Sequence, residues 1–72
     1  MIQAAVRDVT VRVKQSLADS HLVELRSLRV EQHGNRCILQ GRVGSFYAKQ
    51  MAQETVRPFV RGLRLVNAVA VD

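Results

Sequence analysis

The stretch Cys37-Ile38-Leu39-Gln40-Gly41-Arg42-Val43-Gly44-Ser45 combines the residue types and spacing best suited to chemistry in this chain. Apolar residues alternate as in a strand, with Gly41 inside the alternation. The pattern stops at Gly44-Ser45, and a helical period begins. A glycine within a strand marks a bulge or a close backbone approach, and Gly-Ser before a helix reads as an N-cap. A strand that turns straight into a helix leaves free backbone N–H groups able to hold an anion. Arg42 and Lys49 would add charge from either side. Gly44, Ser45, Arg42 and Lys49 are therefore the candidate anion site, and the chemistry is binding.

Nothing comparable supports catalysis. No Ser/His/Asp or Cys/His arrangement can be assembled, and no paired carboxylates fall near a plausible pocket. His21 and His33 are isolated from further ligands at metal spacing, so neither a metal nor another cofactor is expected. The single cysteine, Cys37, has no partner and reads as a small hydrophobe on the inner face of a strand. The chain is expected not to be an enzyme.

Composition narrows the partner. Lysine and arginine number 11 against 6 acids in 72 residues, a net charge of +5, and nine of the eleven cations are arginine. Such a balance favours an acidic partner: anionic lipid, an acidic protein face or nucleic acid. Arginine adds forked hydrogen bonding to phosphate or carboxylate. Nucleic acid is disfavoured, because the expected sheet face carries no aromatic pair for stacking bases. Gly41-Arg42-Val43-Gly44 matches a nucleic-acid GxxG loop only in letters, since that loop joins two helices. No apolar run is long enough to span a membrane, and the N-terminus has no export signal.

Residues 1–72 are expected to form one domain. Val6, Val9, Val13 and Leu17, with Ile2 upstream, make a helical stripe over Ala4 to Ser20. The alternation Val9-Thr10-Val11-Arg12-Val13 competes as a strand, and the length of the stripe decides for a helix. Leu22 and Leu25 lie in a connector. Leu28 to His33 and Arg36 to Val43 alternate as strands around Gly34-Asn35, a pair suited to a tight hairpin. This turn pairs Gln32 with Cys37, Val30 with Leu39 and Leu28 with Gly41. A second helix from Ser45 carries Ala48, Met51, Ala52, Thr55, Val56 and Phe59 inward. It frays near Pro58 and ends by Gly62. Leu63 to Val71 is a third strand, with a bulge or face switch expected at Val66-Asn67.

The fold expected is α+β: a two-layer sandwich in αββαβ order, with a three-stranded mixed sheet and two helices on one face. The opposite face is then bare. It presents Arg29, Glu31, His33, Arg36, Ile38, Gln40 and Arg42, with Arg64 joining if the parity of the third strand holds. Arg29, Arg36, Ile38 and Arg64 are the candidate partner surface, and a protein-interaction or oligomerisation role for this face is the alternative to lipid binding.

Leu28-x-Val30, Cys37-x-Leu39-x-Gly41-x-Val43, Ser45, Lys49, Ala52, Gly62-Leu63, Val66-Asn67, Val69 and Val71 together resemble the BON domain family, over about residues 5 to 72. The resemblance implies a non-catalytic module of bacterial envelope and stress proteins, thought to contact phospholipid. It implies a periplasmic or envelope location, whereas a full-length chain without a leader would be cytoplasmic. In family terms Gly41 is the characteristic glycine, with a structural role alongside Gly34 and Gly62. A lone copy of the domain suits attachment to a larger protein, or oligomerisation.

Overall fold

A computed structural model describes residues 2–72, with side chains described from residue 9 onward. Helix α1 spans Ile2–Ala18. Val13 and Leu17 are buried and Val9 packs against them, whereas Val11 is 60% exposed. Only a helical period separates Val11 from Val9 and Val13 in this way, which rules out the competing strand. Ile2 and Val6, expected in the same stripe, have side chains outside the described residues. Beyond α1 the chain makes a short 3₁₀ turn, Val23–Ser27, that drives Leu25 fully into the core.

Strands β1 (Arg29–His33) and β2 (Arg36–Gln40) form the antiparallel hairpin, with Val30 opposite Leu39 and Gln32 opposite Cys37. Gly34 supplies the positive φ of the turn, at 61°. The second strand breaks at Gly41 and resumes as β3 (Arg42–Val43). Helix α2 (Phe46–Val56) follows, then a 3₁₀ turn over Arg57–Phe59, β4 (Arg64–Asn67) and β5 (Ala70–Val71). The sheet order is β1-β2-β4, and β4 runs parallel to β2 as a helical crossover requires.

The third strand holds one register throughout. Arg36 faces Arg64 and Arg42 faces Ala70, 28 residues further along in both cases. Backbone bonds carry the ladder across the break, from Ala68 N–H to the Leu39 carbonyl and from Ala70 N–H to the Gly41 carbonyl, both 2.9 Å. The bulge or face switch expected at Val66-Asn67 is therefore absent. Asn67 faces the helix layer because its amide has a partner there, donating to the Lys49 carbonyl at 2.9 Å. That bond satisfies a polar group on a largely apolar face. Val66 takes the open face.

Both helices cover the same face. Val13 and Leu17 meet Ala48, Ala52 and Val56 above Val30, Cys37, Leu39, Val43 and Val69. Burial pushes the Cys37 thiol pKa up, consistent with an inert core position. Phe59, expected inside, is exposed, and Val60 is buried in its place. Pro58 cannot continue the α ladder, so the tighter 3₁₀ turn shifts the phase by one residue.

Gly41 is the tightest point of the frame. Its φ is 136°, and a Cβ there would lie 2.7 Å from Leu28 Cδ2. Gly34 also has positive φ but has open space around it. Gly41→Ala is expected to lower unfolding free energy by about 3 kcal/mol, from combined backbone strain and overpacking. Gly34→Ala should cost only about 1 kcal/mol. Urea denaturation of both variants measures the difference, and equal losses would show that the Leu28 contact is not limiting.

Candidate functional site

At the end of the sheet where β3 hands over to α2, Ser45 lies in extended backbone and caps the helix. Its Oγ accepts from Ala48 N–H at 3.0 Å and its carbonyl from Lys49 N–H at 3.2 Å. Gly44 N–H donates to a carboxylate oxygen of Glu24, brought in by the 3₁₀ turn. The helix start thus carries its own anion, which satisfies a free donor and complements the helix dipole. Glu24 comes from 20 residues upstream, and no local spacing in the sequence marks it.

The four anion candidates are placed differently from one another. Gly44 and Ser45 spend their groups inside the protein. Arg42 projects from the open face of β3 and pairs with Asp72 at 2.6 Å, an exposed and hence weak ion pair. Lys49 belongs to the helix layer on the other side of the strands. The two cations bracket this end of the sheet and do not converge on one point.

Three large apolar residues stand around the same contact. Phe46 is 77% exposed, Tyr47 65% and Val23 69%. Val23 precedes Glu24, and Phe46 follows Gly44-Ser45, so the Glu24–Gly44 bond brings the two segments together. The sequence places Phe46 and Tyr47 at the start of the second helix; it contains no signal for Val23. At the same end of the sheet, on the open face, a depression of about 550 Å³ is lined by Ser27, Arg29, Gln40, Gly41, Arg42, Ala68 and Ala70. The small side chains of Gly41, Ala68 and Ala70 let two guanidinium groups border one hollow.

The rest of the open face carries its residues in rows across the strands. His33, Arg36 and Arg64 are in register at the hairpin end; Glu31, Ile38 and Val66 form the next row; Arg29 and Gln40 follow. The expected partner-surface residues Arg29, Arg36, Ile38 and Arg64 do share this face, with Ile38 and Val66 half-buried. Arg29 lies at the opposite end from Arg36 and Arg64. His33 Nε2 sits 3.0 Å from Glu31 Oε1.

Among the described residues no group of three His, Cys, Asp or Glu side chains is placed to hold a metal, and no helix is long and apolar enough to cross a membrane. No protein-family model matches the chain, and no curated protein matches it significantly.

Replacing Glu24 by Gln keeps the shape and removes the anion at the helix start. It should lower stability by about 1 kcal/mol and make the variant more responsive to added sulfate than the natural chain. Thermal melts in sulfate and chloride at matched ionic strength read this out. Equal sulfate responses would mean that Glu24 does not occupy the anion position.

Proposed function

We propose that the protein is a non-catalytic binding module whose α2 end rests on anionic phospholipid head groups. The observation that carries this reading is the exposed trio Val23, Phe46 and Tyr47 around the Glu24–Gly44 contact. Aromatic side chains with one wet edge suit the boundary between head groups and acyl chains. Arg42 and Lys49 lie on either side of Phe46 and Tyr47 along the chain, and the Arg29–Arg42 hollow opens at the same end of the sheet. Basic residues near an anionic membrane contribute about 1 kcal/mol each, so the charges add to the apolar contact and none dominates. The resemblance to BON domains, with their implied phospholipid contact, supports the same reading.

The engagement of Gly44 and Ser45 changes the expected mode of contact. Head-group phosphate is met by arginine and lysine side chains, while the helix start serves to present Phe46 and Tyr47. Co-sedimentation with neutral and mixed anionic vesicles tests this. The natural chain should bind anionic vesicles at low salt and release above about 0.3 M salt, where screening is strong. The Phe46→Ser/Tyr47→Ser variant should bind roughly tenfold more weakly, as expected when about 1–2 kcal/mol of apolar contact is lost. Arg42→Gln/Lys49→Gln should lose most of the preference for anionic lipid. Unchanged binding by the aromatic variant would overturn the proposal.

A further inference from the structure

The hairpin end of the open face contains a conflict that the fold itself does not resolve. Arg36 and Arg64 are register partners on neighbouring strands, and His33 is the register partner of Arg36 on the other side. Like charges directly opposite each other destabilise a sheet. Of the acids on this face, Glu31 is held by His33 and Asp72 by Arg42. Arg29, Arg36 and Arg64 have no ion-pair partner among the described residues. One step along the strands, Ile38 and Val66 lie side by side and half-buried, on a face that no other element covers among the described residues.

We propose that the His33–Arg36–Arg64 row, with the adjoining Ile38–Val66 pair, docks an acidic amphipathic helix of a protein partner. The spacing fits. Neighbouring strands are about 4.8 Å apart, so the row presents the Arg36 and Arg64 guanidinium groups from positions about 5 Å apart, with His33 beside them as a further polar contact. Acidic residues three and four apart on a helix are separated by about 5–6 Å. A helix laid across the strands sets its acidic stripe on the row and an apolar stripe on Ile38 and Val66. The docked helix supplies the second layer that this face lacks.

Charge and composition select this occupant over others. A second copy packed face to face would set arginine against arginine. A nucleic acid would find no aromatic side chain on this face, since Phe46, Tyr47 and Phe59 all lie on α2 or the turn after it. It would also leave Ile38 and Val66 unused and bring phosphates towards Glu31. The row lies at the opposite end of β2 from the proposed lipid contact, so the two readings stand or fall separately.

The probe is a fluorescent synthetic helical peptide with a glutamate stripe beside a leucine stripe. Controls are its Glu→Gln counterpart and a single-stranded oligonucleotide. Anisotropy should show saturable binding of the acidic peptide alone, and amide shifts should map to His33, Arg36, Ile38, Arg64 and Val66. Arg36→Gln/Arg64→Gln should weaken binding roughly tenfold, the size expected for two surface charge pairs, and Ile38→Ser should weaken it too. Phe46→Ser/Tyr47→Ser should leave it unchanged. The double arginine variant should also unfold at a higher urea concentration than the natural chain. No saturable binding, equal binding of the glutamine peptide, tighter oligonucleotide binding at the same residues, or a loss of stability in the arginine variant would each overturn the proposal.

Discussion

The close approach of Leu28 to Gly41 sets the geometry of everything downstream. Leu28 is where the 3₁₀ turn passes into β1, and Gly41 is where β2 passes into β3. A Cβ there would crowd the Leu28 Cδ2 methyl at 2.7 Å and force it to shift, and the φ of 136° would strain any other residue at this position. The meeting of these two segments is what positions the 3₁₀ turn against the start of α2. There Glu24 reaches Gly44 N–H, which draws together the segments that carry Val23 and Phe46. The glycine has no functional group, yet the end of the sheet that carries the exposed trio is arranged around it.

The packing of the domain is concentrated on one face of the sheet. The inner face is filled by small and branched residues, with Ala48 and Ala52 allowing α2 to lie close, and its polar intruders have partners: Asn67 donates to the Lys49 carbonyl and Gln32 accepts from the Thr10 hydroxyl of α1. A chain of this size has little core from which to draw stability. The arginine row nevertheless stands unrelieved on the outer face. Local conflicts of that kind concentrate where a surface is used for something other than folding.

Much of this was legible in the sequence because it depends on period and parity. The αββαβ order, the hairpin register through Val30–Leu39 and Gln32–Cys37, and the inward Cys37 follow from alternation. The Ser45 cap follows from turn chemistry. What escaped depends on contacts between distant segments. Asn67 looked like a break in the strand because an inward asparagine needs a partner, and that partner lies 18 residues away. Glu24 carries no mark in the sequence, because the Gly44 N–H it accepts from lies 20 residues away. Phe59 was counted with the helical stripe, but Pro58 tightened the turn and put Val60 inside. The open face was readable residue by residue. Its organisation into a cationic row and an apolar pair required the parallel register of β4.

The central claim is that one end of the sheet, and not the other, meets the membrane. Paramagnetic relaxation measured on the amides of the natural chain, bound to anionic lipid nanodiscs carrying a spin-labelled lipid, tests this directly. The account predicts strong broadening at Val23, Phe46, Tyr47 and Arg42, with sharp signals retained at His33, Arg36 and Arg64. Broadening centred on the hairpin end, or spread evenly over both ends, would contradict it.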